Sequence, residues 1–263
     1  MNYERIAVDR GARGVTTLTL NRPDRGNAYD DVMLRELMIA LAELDNDDAV
    51  RVVLLRGAGK HFCVGADIAW HRVNQNDPAA RKAGPKLIDI LLALDRLSKP
   101  TIAVLHGAAV GGGLAVALCC DVAFATTDAT FSIPEVRIGL MPGPLVPLFL
   151  RAMPYRAFRR YGLSGERFSS AEAKAMGLIH DTSPAEQIEA LVAKQVEEFL
   201  LSAPGAIAGL KALSAELAPP PITPALLEAL EEASHGMLET DEAKEGVASF
   251  LEKRKPRWYP PAD

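Results

Sequence analysis

Hydrophobic positions recur at two different periods along the chain. Val15 to Leu20 (VTTLTL) is rich in β-branched residues and predicts a strand, as do 51–56 (RVVLLR), 101–105 (TIAVL) and 121–125 (DVAFA). Between them the spacing is helical. Residues 31–44 place Leu34, Leu37, Met38, Leu41 and Leu44 on one face, and residues 86–97 do the same with Leu87, Ile90, Leu91, Leu94 and Leu97. Strands that alternate with helices predict an α/β fold with largely parallel pairing. Past Pro204 the character changes. Residues 185–203, 205–217, 223–238 and 241–253 read as helices with no clear strand, and Pro219, Pro220 and Pro221 form a rigid break between two of them. The pattern predicts a core over 1–200 and a helical C-terminal region over 201–263.

Composition narrows the function classes. The 263 residues are 49% hydrophobic and 24% charged, which is ordinary for a globular chain. A formal net charge of -5 argues against a general nucleic-acid binder, which needs a basic surface to release counterions. Three cysteines, Cys63, Cys119 and Cys120, are too few and too unevenly placed for a disulfide framework and suit a reduced, cytoplasmic setting. The first residues show no secretory signal. Residues 100–120 carry no Asp, Glu, Lys or Arg, but Pro100, His106 and four glycines disfavour a membrane helix. A buried strand, a glycine turn and a buried helix explain the same letters.

Several motifs fail on inspection. Gly57-Ala58-Gly59-Lys60 lacks the remaining positions of a phosphate loop, and the glycines at 107 and 111–113 lack dinucleotide spacing. Residues 162–166 miss the nucleophile-elbow pattern at its last position. His61 and Cys63 have no partner at metal-ligand spacing, so no metal is expected.

What remains is two glycine turns that follow strands, 59–67 and 106–113, and an acidic residue, Glu135, in the segment after the fourth strand. Ligands of parallel sheets bind beyond the carboxyl ends of strands. Turns there can aim backbone N–H groups at one oxygen, and three glycines opening a helix add the partial positive charge of its N-terminus. A carboxylate among apolar neighbours can have its pKa raised and act as acid or base.

Taken in order, these segments resemble the enoyl-CoA hydratase/isomerase (crotonase) superfamily. The likeness begins at Leu20-Asn21-Arg22-Pro23 and Asn27-Ala28. It continues through HFCVGAD (61–67), HGAAVGGGLAVALCCD (106–121) and FSIPEVRIGLMPG (131–143), and reaches LSGERF (163–168) and AKAMGL (173–178). It implies a spiral of ββα units, a helical C-terminal region used in trimerisation, and a homotrimer or dimer of trimers. It implies an acyl-CoA thioester substrate, with no cofactor beyond the coenzyme A that the substrate carries and no nucleic-acid or membrane partner. The amides of Ala66 and Gly112 match the family's oxyanion hole. Arg25, Ala28, Val64, Gly65, Asp67 and Ile68 lie where the family contacts coenzyme A, and Gly111, Pro134 and Leu140 border the reacting centre.

Glu135 matches one of the two catalytic glutamates of the two-glutamate hydratases. At the position of the other stands Ala115. Single-glutamate relatives include Δ3,Δ2-enoyl-CoA isomerases and bacterial hydratases similar to those acting on methylglutaconyl-CoA and isohexenylglutaconyl-CoA. The runs PEVRIGLMP (134–142) and YRAFRRY (155–161) resemble the second group, which works in leucine or isoprenoid breakdown. The segment PGPLVP (142–147) departs from the family's usual glycine-rich continuation and leaves the acyl chain open. Three functions follow from the resemblance: hydration with Glu135 as acid and base, isomerisation by the same residue, or acyl-CoA binding without turnover. Of the other polar residues, His106, Asp67 and Asp121 read as structural, and Cys63 and Cys119 as small core residues. Trp70, His71 and Arg72 read either as substrate-lining or as packing residues. Lys253, Arg254, Lys255 and Arg257 read either as a phosphate contact across a subunit boundary or as a solvated tail.

Overall fold

The computed structural model describes residues 3–70, 85–219 and 221–260. A six-stranded sheet forms the base, in the order β1 (Ile6–Arg10), β2 (Val15–Leu20), β3 (Val52–Gly57), β4 (Thr101–Leu105), β6 (Val122–Thr126), β9 (Asp181–Ser183). Only the β1–β2 pair is antiparallel; the others are parallel, as the alternating pattern predicts. A smaller sheet of β5 (Ala108–Val110), β7 (Thr130–Ser132) and β8 (Phe168–Ser169) lies on a second level.

Each turn of the spiral visits both levels. β4 leads through Gly107 into β5 and then into helix α3 (Gly112–Leu118), and β6 leads into β7. One turn earlier β3 leads to Cys63, which bridges Ala109 of β5 in parallel. The change of level at Gly107 needs glycine. Its φ is 61°, and a Cβ there would lie 2.0 Å from the Lys60 carbonyl oxygen.

The central strands read as unbroken apolar runs because both faces are covered. Val53, Leu55, Ala103 and Leu105 face the main core, with α1 (Asp31–Asp45) and α2 (Leu87–Asp95) packed on it. The alternate residues Val52, Leu54, Ile102 and Val104 face a second cluster with Phe124, closed by Ile188, Val192 and Val196 of α7 (Ile188–Leu201). Asp30 caps α1, its carboxylate accepting from the Met33 N–H at 2.9 Å. Residues 100–120 resolve into β4, β5 and α3, and among the described residues no helix is long and apolar enough to cross a membrane.

Helices α4 (Val146–Ala152), α5 (Tyr155–Ser164) and α6 (Ser170–Ala175) fill the segment between the glutamate and β9. The C-terminal part is helical: after α7 come α8 (Pro204–Leu217), α9 (Pro224–Leu238) and α10 (Asp241–Leu251). These two last helices fold back on the body. A Cβ at Gly139 would lie 2.6 Å from the Glu242 carbonyl oxygen, and one at Gly246 would lie 2.2 Å from that of Ile138. Such backbone-to-backbone contact seats α10 against the 3-10 turn Glu135–Ile138. The same argument holds for the 3-10 turn Gly143–Leu145, where a Cβ at Gly143 would meet Ser234 Oγ and, at 2.7 Å, the Leu230 carbonyl oxygen of α9.

Asp121 is structural. Its Oδ2 accepts from the N–H and hydroxyl of Thr101 at 2.7 and 2.8 Å and pairs with Lys211. The basic tail is not free. Both Arg254 and Arg257 pair with the buried Glu245, and the Lys255 ammonium sits over the Tyr259 ring. His71 and Arg72 lie outside the described residues.

Candidate active site

The first glycine turn is fixed by one side chain. Asn27 is fully buried at φ 58°, a left-handed conformation that asparagine tolerates better than most residues. Its amide nitrogen donates to the carbonyls of Ala58, His61 and Phe62 at 2.8, 2.7 and 3.1 Å, and its oxygen accepts from the Arg22 N–H at 2.8 Å. Arg22 continues the network. Its guanidinium donates to the Ala28 carbonyl at 3.0 Å and pairs with Asp30 at 3.3 Å and Asp67 at 2.8 Å. Asp67 also accepts from the N–H groups of Ala69 and Trp70. Burial works against its ionisation, but the Trp70 amide and Arg22 outweigh that and hold the carboxyl below its usual range. Asp67 therefore braces the loop, and the His106 ring, 2.9 Å from the Gly59 carbonyl oxygen, does the same at the second turn.

The braced loop leaves the amide of Ala66 open. Tyr29 and Ala66 form an isolated parallel bridge, in which the Tyr29 N–H donates to the Gly65 carbonyl and the Asp67 N–H to the Tyr29 carbonyl, both at 2.9 Å. That pattern turns the N–H of Ala66 away from Tyr29. No acceptor meets it among the described residues. A second open amide belongs to Gly112. As the first residue of α3 it has no acceptor inside the helix, and none is found among the described residues outside it.

The glycine triplet has a separate reason at each position. Gly111 stands at φ 52°, and a Cβ on it would lie 2.4 Å from Glu135 Oε1. On Gly112 a Cβ would lie 2.5 Å from the Tyr29 hydroxyl oxygen, and on Gly113 it would lie 2.4 Å from the Cys63 carbonyl oxygen. Ala115, one turn further, is fully buried and offers no polar group.

Glu135 opens its 3-10 turn just past β7. The turn is anchored by the Leu140 N–H donating to the Glu135 carbonyl at 3.0 Å and by Arg137 Nε donating to the Ser164 carbonyl at 2.9 Å. Oε2 of Glu135 is buried with no hydrogen-bond partner. Burial pushes the carboxyl up to about 7, against a smaller opposing effect of its own backbone N–H. A proton can therefore leave or return near neutrality. Burial likewise pushes the Cys63 thiol up to about 12, so it stays protonated and inert.

Tyr29, Ala66, Gly111, Gly112 and Glu135 line one cavity of about 1610 Å³. Small-molecule pockets usually hold ~300–1,000 Å³, so this one suits a long ligand. The residues the family resemblance assigns to the site all line it: Arg25, Ala28, Val64, Gly65, Ala66, Asp67, Ile68, Gly111, Gly112, Pro134, Glu135 and Leu140. Trp70 lines it too. Sequence reading missed Tyr29 and Leu87 beside Gly112, and one face of α9 formed by Glu231, Ser234, His235 and Leu238. Tyr29 could have been found, because it directly follows the Asn27-Ala28 pair. The α9 face has no local signal, since about ninety residues separate it from the glutamate's turn. Among the described residues no group of acidic, histidine and cysteine side chains could hold a metal ion.

Comparison with known proteins shows the family. Residues 10–260 match the family model described as enoyl-CoA hydratase/isomerase. Enoyl-CoA hydratase EchA19 of Mycobacterium tuberculosis is 32% identical over 252 residues, covering 94% of each chain. The crystal structure of an enoyl-CoA hydratase of Mycobacterium smegmatis superposes with a TM-score of 0.78 at 31% identity, over 98% of this chain and 100% of that one. A methylmalonyl-CoA decarboxylase, 23% identical, shares the fold with a TM-score of 0.85 over 99% and 100% of the two chains. The chain belongs to the enoyl-CoA hydratase/isomerase (crotonase) family and is an enzyme of the hydratase family.

Proposed function

We propose that the protein adds water across the 2,3-double bond of an enoyl-CoA of branched or glutaconyl type, as the methylglutaconyl-CoA hydratases do. The observation that carries this reading is the lone buried carboxylate of Glu135, with an unpartnered oxygen, in the same cavity as the open amides of Ala66 and Gly112. In this reading the two amides hold the thioester oxygen as enolate charge develops, each worth ~10²–10³ in rate. Glu135 takes a proton from water as its oxygen attacks the β-carbon. It then returns that proton to the α-carbon. Coenzyme A is part of the substrate, and no further cofactor enters. Arg25, an exposed residue of the cavity lining, and the 64–68 loop accept the coenzyme A portion.

The acyl type is supported by the polar face of α9. Glu231, Ser234 and His235 line the cavity near Met141 and Pro142, and Glu231 pairs with Lys86. Such a wall suits a chain with a polar end better than a plain alkyl tail. The exposed apolar side chains Leu210, Leu213 and Leu217 on α8 support a homotrimer or dimer of trimers. A cytoplasmic place in leucine or isoprenoid breakdown belongs to the same reading.

The absence of a polar side chain at Ala115 favours a second reading, a Δ3,Δ2-enoyl-CoA isomerase in which Glu135 shuttles one proton along the chain. Turnover of crotonyl-CoA, 3-methylglutaconyl-CoA and a 3-enoyl-CoA in 18O-labelled water separates the two. Hydration incorporates the label and isomerisation does not. Glu135→Gln is expected to lower kcat by about 10²–10⁴ while acyl-CoA still binds. Near-normal hydration by that variant overturns the mechanism, and binding without turnover across the panel marks a non-catalytic member.

A further inference from the structure

Tyr29 is a polar group of the cavity that the mechanism above does not use. Its backbone brackets Ala66 in the parallel bridge, and its ring crosses to the other amide, with the hydroxyl oxygen 2.5 Å from where a Cβ on Gly112 would stand. The hydroxyl makes no hydrogen bond to another described residue. On the adjoining residue of the same turn, the Cβ position of Gly111 lies 2.4 Å from Glu135 Oε1. Two polar ends without partners thus flank one glycine pair. A buried polar atom left unsatisfied costs about 1–3 kcal/mol, so Glu135 Oε2, buried without a partner, calls for one that arrives with the reaction, and the Tyr29 hydroxyl stands in the same cavity to share it.

We propose that the Tyr29 hydroxyl is a water-positioning group that holds, together with Glu135, the water molecule added to the substrate. The proposal rests on the hydration reading. Water gives one hydrogen bond to the Glu135 carboxylate and the other to the phenol oxygen. The water proton passes to Glu135 as the new C–O bond forms at the β-carbon. The π electrons move to the thioester oxygen at the two amides, and Glu135 then delivers the proton to the α-carbon. The phenol keeps its own proton throughout. Burial, with Cys63 and Glu135 adding to it, raises Tyr29 well above the usual phenol range. A neutral acceptor also spares Glu135 a second negative charge, which would make it harder to ionise.

The test compares wild type, Tyr29→Phe and Tyr29→Leu on the same enoyl-CoA in 18O-labelled water. Tyr29→Phe is expected to lose about 10- to 100-fold in kcat with KM within threefold of wild type and unchanged thermal unfolding, because only a hydrogen bond is removed. Tyr29→Leu removes the ring as well and is expected to raise KM and lower the unfolding temperature. A Tyr29→Phe enzyme with kcat within threefold of wild type overturns the water-positioning role, as does a loss confined to KM. A wild-type enzyme that turns over without taking up label sinks the hydration reading itself, and the present proposal with it.

Discussion

One wall of the cavity, residues 22–67 with 107–113, is tied together by side-chain hydrogen bonds, whereas the opposite wall, 134–145, is held by the close approach of backbones. On the first wall Asn27 reaches three carbonyls of the turn it supports, and Arg22 joins Asp30 to Asp67. On the second, two 3-10 turns lean on α9 and α10 through Gly139, Gly143 and Gly246, where a Cβ would strike neighbouring atoms. The first wall offers open amides whose position is set before any ligand arrives. The second offers Glu135 Oε2 and Ser234 Oγ, both buried without partners; on the first the buried unpartnered side-chain atoms are the nitrogens Arg22 Nε and His61 Nδ1, so the contrast lies in which wall holds the unpartnered acid. The difference divides the labour. Charge stabilisation needs fixed dipoles, and a bonded network supplies them. Proton transfer needs a carboxyl poised near neutrality, and that requires leaving it short of hydrogen bonds.

The sharpest way to break this division is at Gly111 of the first wall, where the two walls meet. Gly111→Ala puts a methyl group 2.4 Å from Glu135 Oε1 and forces an alanine to φ 52°. The carboxylate must move while the Ala66 side of the site stays in place. A fall of about a hundredfold or more in kcat is expected, with acyl-CoA affinity nearly kept, measured by steady-state turnover beside titration with an unreactive saturated acyl-CoA. A variant with wild-type kcat would show that the approach at Gly111 does not fix the carboxyl.

The contrasting substitution acts on the first wall. Asn27→Ala strips the donor from three carbonyls, that of Phe62 buried and those of Ala58 and His61 partly so, and leaves a non-glycine residue at φ 58° without its local hydrogen bonds. Destabilisation on the order of 3 kcal/mol is expected in denaturant unfolding, together with weaker acyl-CoA binding. If stability changed by less than about 0.5 kcal/mol, the side-chain network would not be what holds this wall.

How far the sequence revealed each wall follows from the same difference. β2 and β4 run over Val15–Leu20 and Thr101–Leu105, as their β-branched runs predict, and α1 begins at Asp31 as its spacing predicts. β3 and β6 are each shifted by one residue, since a strand's ends are set by its neighbours. β1 escaped because only Ile6 of its five residues is buried, and β5, β7, β8 and β9 because two or three residues carry no period of their own. The segments of the first wall lie in compact local motifs, so Ala66, Gly111 and Gly112 could be named from the chain. The brace behind Glu135 could not. Gly246 and Ile138 are far apart in sequence, and a small residue inside a helical run signals nothing until its neighbour is known.

The smallest expected effect concerns pH and separates the walls thermodynamically. Burial raises Glu135 from 4.5 to about 7. A carboxyl raised in the folded state is neutral in both states below about 4.5, and between the two values the folded state holds the proton more firmly than the unfolded one. The stability this group contributes is thus fully present below 4.5 and is lost as pH rises through about 7, by at most about 3–4 kcal/mol at ~1.4 kcal/mol per unit. Glutamine cannot ionise, so the unfolding temperature of Glu135→Gln should draw level with wild type at pH 4.5 or below, apart from a constant offset, and exceed it increasingly up to pH 8. Activity moves the opposite way, since a base must be ionised. kcat/KM of the wild type should climb as pH rises through about 7. Parallel stability curves for the two proteins would mean that the carboxyl is solvated in the free enzyme, and the contrast between a bonded wall and an unsatisfied one would then fail at its central residue.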